Sequence, residues 1–200
     1  MDVVLIRHPA PAVEAGVCYG ASDVPLAGDA AREARAIVAR VDALGLARPS
    51  AIDSSPLVRC ASVARDIGAA MRCDVRVDAR LREIDFGAWE MRSWDEIGRD
   101  ALDRWQADLM GAREHGGESA AQLMARVAPL GAAWRESAAQ GSVVCVTHAG
   151  VMRALAAQWL GVPLERLLAR RIAYGGCLWF AHDAVRGWQL RGWDETDASF

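Results

Sequence analysis

Val3-Val4-Leu5-Ile6-Arg7-His8 stands almost at the start of the chain, and its reading sets the fold. A short β-branched and apolar run bounded by turn formers reads as a fully buried strand. Pro9 and Pro11 stop it, because proline has no N–H to give to a ladder. Arg7 and His8 therefore sit at the carboxyl end of a central strand, the edge where open α/β sheets place their ligands. A guanidinium is a planar fork of donors suited to phosphate, and a neutral imidazole beside it is a nucleophile. Taken alone, an Arg-His pair is more simply explained by a histidine satisfied through local hydrogen bonds. The rest of the chain has to decide.

A second run of the same kind, Val143-Val144-Cys145-Val146-Thr147, ends in His148-Ala149-Gly150. A helix follows at once, with Val151, Met152, Leu155, Ala156 and Trp159 on its apolar face. Adjacent parallel strands would bring His8 and His148 to one edge of the sheet. Between them the elements alternate. Residues 29–44 predict a helix, with Ala30, Ala34, Ile37, Val38, Val41 and Leu44 on one face and Gly45 as its stop. Ala51-Ile52-Asp53 predicts a strand. Ser55 as cap and Pro56 in the first turn predict a helix that carries Arg59 early and runs to about Met71. Residues 74–77 alternate as a third strand. Glu118 to Glu136 is helical in pattern, with Leu123, Val127, Leu130 and Trp134 in register and a kink at Pro129. Cys177 to His182 and Trp188 to Trp193 flank Asp183-Ala184 as a final pair of strands, and the polar chain end beyond them is expected to fray. The pattern predicts an α/β fold: three layers, α/β/α, around a mostly parallel central sheet.

Two stretches stand outside the alternation. Residues 9–28 form a Pro-, Gly- and Ala-rich loop containing Cys18-Tyr19-Gly20 and Ser22-Asp23-Val24-Pro25-Leu26; loops of this length are often functional. Residues 81–117 hold three of the eight tryptophans, 89, 94 and 105, among many charges. Ser93 to Leu109 predicts a helix with a Ser93/Glu96 capping box, broken by Gly116-Gly117. Residues 84–117 read as a small helical insertion covering the end of the sheet, within one domain spanning 1–200.

The bulk numbers exclude several classes. A net charge of -3, with acids and bases interspersed, argues against nucleic-acid binding. The five cysteines, an odd number with no C-x-x-C pair, argue against a disulfide framework and a zinc site, and make a reducing cytoplasm the default. With the first strand starting at Val3, no signal peptide is expected, and no apolar run is long enough to span a bilayer.

Four pieces then combine. Arg7-His8 ends a strand. Arg59 follows a Ser-Ser-Pro turn. Glu83 lies in Leu81-Arg82-Glu83-Ile84-Asp85-Phe86-Gly87-Ala88-Trp89-Glu90. His148 joins a strand to a helix N-terminus, where free amide N–H groups and the helix dipole favour an anion. Two guanidiniums, two imidazoles and amide donors make a phosphate pocket without a metal.

In this order the motifs resemble the histidine phosphatase superfamily, the phosphoglycerate mutase-like branch, nearly end to end. Within it, Gly87-Ala88-Trp89-Glu90-Met91-Arg92, Gly116-Gly117-Glu118-Ser119 and Gly176-Cys177 are most similar to the alpha-ribazole phosphatase group. The chain departs from many relatives after His8. It has Pro9 where they have glycine, and Glu14 near the place of an asparagine.

The resemblance implies that His8 attacks phosphorus and forms a phosphohistidine. Arg7, Arg59 and His148 would hold the phosphoryl oxygens, with His148 most useful as the imidazolium that a nearby dianion favours. Glu83 would protonate the leaving alkoxide and then take a proton from water, so it must carry a proton when the ester binds. Ala149 would add to the phosphate site. No cofactor and no metal are implied, and the partner is a small-molecule phosphomonoester; the sequence is silent on oligomeric state.

The implied activity is a phosphomonoesterase acting on alpha-ribazole 5′-phosphate in assembly of the cobalamin nucleotide loop. The rivals are a histidine phosphatase for sugar phosphates, nucleotides or several metabolites, a mutase, and a catalytically silent phospho-ligand binding module. Asp85 and Glu90 read as structural, His115 and His182 as exposed or locally bonded, and Cys145 as a small buried apolar residue. Trp89, Trp94 and Trp105 fall in the cover, where a flat aromatic base could stack.

Overall fold

The computed structural model describes residues 1–137 and 141–194. Most of the chain end that was expected to fray, residues 195–200, lies outside the described residues. Strand β1 is Asp2–Arg7, and Val3, Val4, Leu5 and Ile6 are all fully buried. It runs parallel to β4, Ser142–Thr147, with Arg7 opposite Thr147. Strands β2 (Pro49–Ser54), β3 (Val75–Val77), β5 (Cys177–Asp183) and β6 (Gly187–Trp193) complete the sheet in the order β3-β2-β4-β1-β5-β6. The first four strands in that order are parallel, and β5 and β6 are antiparallel additions. The expected mostly parallel sheet and closing hairpin are both present.

Side chains alternate along each strand, so each central strand feeds two cores. Val3, Leu5, Val143 and Cys145 face a core built with α5 (Ala120–Val127), α6 (Leu130–Ser137), α7 (Ala149–Leu160) and α8 (Glu165–Leu168). Val4, Ile6, Val144 and Val146 face the other core, with α1 (Ala30–Ala43) and α2 (Val58–Met71). This is the three-layer arrangement, and it explains why the strands read as unbroken apolar runs rather than alternating ones. Each such side chain buried contributes about 1.5–3 kcal/mol.

Several element ends differ from the sequence reading. Helix α2 starts at Val58, not at Pro56, and Ser55 is not its cap. The cap comes from far away: Asp23 Oδ1 accepts from Val58 N at 2.6 Å. The helix expected over residues 93–109 is two helices, α3 (Trp94–Ile97) and α4 (Arg99–Ala107). Gly98 between them has φ 86°, which a helix cannot use, although the Ser93/Glu96 capping box forms as expected. Helical structure from Glu118 onward starts at Ala120, with Ser119 and Gln122 as a second capping box, and Pro129 separates α5 from α6. Among the described residues no helix is long and apolar enough to cross a membrane. All five cysteines are unpaired.

The two stretches outside the alternation are tied to one another. Met91 N donates to Cys18 O at 2.6 Å, Cys18 N to Arg92 O at 2.9 Å and Trp94 N to Gly16 O at 2.9 Å. The loop over residues 9–28 and the cover therefore sit side by side at the carboxyl edge of β1 and β4.

Candidate active site

His8 follows β1 directly. Its amide donates to Thr147 O at 2.9 Å, which continues the ladder one step past the strand. The ring is 2% exposed. Its Nδ1 lies 2.7 Å from Pro9 O, and a carbonyl can only accept, so Nδ1 carries the proton. Nε2 is left with a lone pair, and that pair accepts from Arg59 Nε at 3.3 Å. Burial, with the Arg59 guanidinium next in effect, lowers the His8 pKa to about 3, so the ring is neutral at ordinary pH. A neutral, Nδ1-protonated imidazole is the nucleophilic form.

Arg59 is fully buried on the first turn of α2. Its Nη1 donates to Ser22 O at 2.7 Å and its Nη2 to Gly20 O at 2.6 Å. The loop over residues 9–28 thus supplies the acceptors that aim this guanidinium. With Nε on His8, two of its five N–H groups remain for a ligand. The loop is held in turn by Glu90, whose carboxylate accepts from the N–H groups of Ala21, Ser22 and Phe86 and from the Ser22 hydroxyl. Gly20 is required there, because a Cβ would sit 2.4 Å from the backbone oxygen of Ile84 as well as 2.4 Å from Glu90 Oε1. Glu90 is structural, as expected from sequence.

His148 is the N-cap residue of α7 and is fully buried. Its ring centroid is 5.1 Å from that of His8. Its Nε2 is 2.8 Å from Ser55 Oγ and 3.5 Å from Cys60 Sγ. Burial first, then His8 and the two guanidiniums, hold its pKa well below the usual histidine value. In these surroundings His148 is neutral, and a dianion is what would draw a proton onto it. Ser55, read as a helix cap, makes its shorter contact to this histidine, while its Oγ also accepts from Leu57 N at 3.3 Å.

Arg7 lies across the Tyr174 ring at 3.8 Å, and its Nη1 donates to Ile172 O at 2.6 Å. Its Nε is buried without a partner. Glu83 is partly buried, with Oε2 accepting from Gly150 N at 3.0 Å and Oε1 from Ile84 N at 3.0 Å. The glycine of Thr147-His148-Ala149-Gly150 has a steric reason, since a Cβ on Gly150 would lie 2.3 Å from Glu83 Oε1. Arg7, His8 and Glu83 line one cavity of about 450 Å³. Ala149 opens α7 but lines a neighbouring apolar cavity that also touches Glu83.

Sequence reasoning missed Tyr19 and Tyr174. Their hydroxyls are 2.9 Å apart, and their ring centroids lie 6.4 and 5.8 Å from His8. Tyr19 stood in the quoted Cys18-Tyr19-Gly20, but nothing marked it as facing the histidine. Of the cover tryptophans, only Trp94 lines the His8 cavity, Trp105 lines the apolar one, and Trp89 is core. His115 is buried, with Nδ1 accepting from Gly117 N at 3.0 Å, so it is locally bonded rather than exposed. His182 is partly exposed and packs against Trp188, with ring centroids 4.9 Å apart.

The sheet edge bears two facing histidines, the fully buried guanidinium of Arg59, the partly buried one of Arg7 and a carboxylate, groups whose chemistry suits a phosphoryl ligand. The profile described as "Histidine phosphatase superfamily (branch 1)" matches residues 3–196, and the chain belongs to that family. It is 30% identical to a probable phosphoglycerate mutase, GpmB, of Enterobacter sp. (strain 638), over 96% of this chain and 90% of that one. A mycobacterial glucosyl-3-phosphoglycerate phosphatase superposes with a TM-score of 0.84 at 28% identity, over 98% of this chain and 99% of that one. An alpha-ribazole phosphatase from Shigella flexneri does so at 0.83 and 25%, over 99% and 98%.

Proposed function

We propose that this protein is a cofactor-independent phosphomonoesterase that works through a phosphohistidine at His8. The observation that carries the reading is the His8 ring itself. It is neutral and locked in the Nδ1-protonated form by Pro9 O, with its Nε2 lone pair turned toward the Arg59 guanidinium. In the first step Nε2 attacks phosphorus in line, the P–O ester bond breaks, and Glu83 gives its proton to the leaving alkoxide. In the second step Glu83 takes a proton from water, the hydroxide attacks the phosphohistidine, and phosphate leaves with Nε2 restored. Arg7, Arg59 and His148 bind the phosphoryl oxygens, with His148 taking up a proton as the dianion arrives. Positioned proton transfer of this kind is worth about 10²–10⁴ in rate.

The substrate we assign is alpha-ribazole 5′-phosphate. The sequence motifs support it, as does the likeness to the Shigella flexneri enzyme. Aromatic walls at Phe86, Trp94 and Tyr174 suit a benzimidazole. A mutase is the second reading, favoured by the name of the Enterobacter relative. The test is turnover of p-nitrophenyl phosphate and of a phosphomonoester panel, with chelator present. Turnover lost in His8→Ala and highest for alpha-ribazole 5′-phosphate supports the assignment. Phosphoryl return to a product hydroxyl would replace it by the mutase reading. Binding without turnover would make the chain a silent module.

A further inference from the structure

The His8 cavity has an uneven charge inventory. Among the described residues lining it, Arg7 is the one cationic side chain, and its guanidinium lies against Tyr174 beside His8. Away from the phosphoryl end the walls are apolar and aromatic, with Val13, Val17, Phe86 and Trp94. The charged residue that the loop after β1 adds to this lining is Glu14, which is exposed to solvent. Glu83 adds a second carboxylate near the reacting end. The polar cavity next to it, about 380 Å³, sets three arginines (82, 113 and 126) against three acids (83, 85 and 118). Of those arginines, Arg126 is committed to Glu118 at 2.6 Å and Arg113 to Gly117 O at 2.8 Å.

The aromatic part of the wall is tied to the loop by backbone bonds. Trp94 is held to the loop through its amide on Gly16 O at 2.9 Å, and Val17 makes a β-bridge to Ser93. The Trp94 ring meets Phe86 edge-on, with centroids 6.0 Å apart and planes at 89°. Two rings at right angles offer one face and one edge to a flat guest.

We infer that this site selects, by charge, a leaving group with no second anionic group, and that Glu14 and Trp94 are the residues that set the preference. The inference rests on the phosphatase reading and narrows it. A carboxylate on the substrate would enter a cavity whose one guanidinium is occupied by the phosphoryl group, and it would meet Glu14. Like-charge juxtaposition without a cation disfavours the acid, by an amount that falls as salt rises because Glu14 is exposed. A neutral or weakly basic aromatic leaving group meets one ring face, one ring edge and no repulsion. The chain therefore diverges in substrate from relatives whose names contain a glyceric acid phosphate, although it shares their fold and most of its length with them.

The test compares two phosphomonoesters of similar size that differ by one charge, glycerol 3-phosphate and 3-phosphoglycerate, and adds 1-naphthyl phosphate for the aromatic wall. In the native protein at low salt kcat/KM for glycerol 3-phosphate exceeds that for 3-phosphoglycerate several-fold. Glu14→Gln narrows that ratio and Glu14→Arg closes or inverts it, through KM for the acid. Trp94→Leu raises KM for 1-naphthyl phosphate relative to glycerol 3-phosphate several-fold. The same ratios appear as dissociation constants on His8→Ala protein by calorimetry, so selectivity is read even where turnover fails. Equal efficiency for the acid and the alcohol in the native protein overturns the inference. So does a ratio that Glu14→Arg leaves in place, whereas loss of turnover with the binding ratios intact overturns only the catalytic reading.

Discussion

Gly150→Ala separates the chemistry of this site from its stability. Gly150 is the second residue of α7, and its φ is not in the left-handed region, so alanine fits the backbone. The new Cβ would stand 2.3 Å from Glu83 Oε1, whereas real Cβ contacts are essentially never under 3.0 Å, so the oxygen has to move by at least 0.7 Å. The move is cheap for the fold because a carboxylate is the far end of a flexible side chain. It is costly for catalysis because that carboxylate is the proposed acid and base. Displacement also strains the bond from Gly150 N to Oε2, now 3.0 Å. A misplacement approaching 1 Å costs about 10²-fold in rate. Alanine is better than glycine within a helix by up to about 1 kcal/mol, so the melting temperature should stay level or rise. The assay is kcat on an alkyl phosphate and on p-nitrophenyl phosphate, beside a thermal melt. The alkyl ester, which needs a proton on its leaving oxygen, should lose about 10²-fold. The nitrophenolate leaves without one, so formation of the phosphohistidine from it is spared. An alkyl phosphatase within twofold of the native rate, in a protein that melts normally, would refute Glu83 as the acid.

Three further outcomes follow from the same geometry. His8 is held neutral down to about pH 3, and His148 is depressed in the same direction, while both take up protons below about 6.5 once unfolded. The unfolded chain binds more protons in that window, so stability is full above it and falls as pH drops through it. Each histidine adds a slope of up to about 1.4 kcal/mol per pH unit. Denaturation midpoints between pH 7 and pH 4 measure this, and a His8→Asn variant with an undiminished slope would contradict it. Glu90→Gln turns an acceptor that serves three amides into a partial donor. It should cost about 1–3 kcal/mol by urea denaturation and raise KM as the carbonyls on Arg59 loosen; a loss under about 0.5 kcal/mol would count against the loop account. Ser55→Ala leaves His148 Nε2 without its 2.8 Å oxygen partner and should weaken vanadate binding about tenfold or more; unchanged binding would remove Ser55 from the site.

The parts of this protein that were readable in sequence are those whose cause is local. Val3 to Ile6 and Val143 to Val146 are uninterrupted apolar runs, so their burial on both faces followed from pattern, whereas their pairing with one another is visible only in the structure. Placing His8 and His148 together needed only that the two strands be parallel neighbours. The capping boxes at Ser93 and Ser119 are written within four residues, and Ser93 was legible for that reason. Ser55 shows the opposite case. A serine before a proline reads as a cap, but a buried imidazole needs an oxygen more than an exposed helix end does. Once Ser55 turns to His148, Asp23 takes over the cap from a loop 35 residues earlier, and no local rule points there.

Arg59, at the centre of the site, is a second residue whose setting comes from far along the chain. A guanidinium buried completely among two histidines and apolar side chains is costly unless its donors are matched. The matching acceptors are the carbonyls of Gly20 and Ser22. Carbonyl groups have no sequence signature, so the loop reads as a featureless Gly- and Pro-rich connection. Its shape is dictated from the other side, by Glu90 gathering its amides and by Asp23 docking on α2. The loop, the cover and the first turn of α2 form one unit around a single charge. Glu83 and Gly150 form the second unit, joined by the 3.0 Å bond and a contact that only glycine permits. A motif such as Thr-His-Ala-Gly is therefore a record of two close approaches, an imidazole beside an imidazole and a carboxylate against a bare backbone, rather than of any property of the tetrapeptide itself.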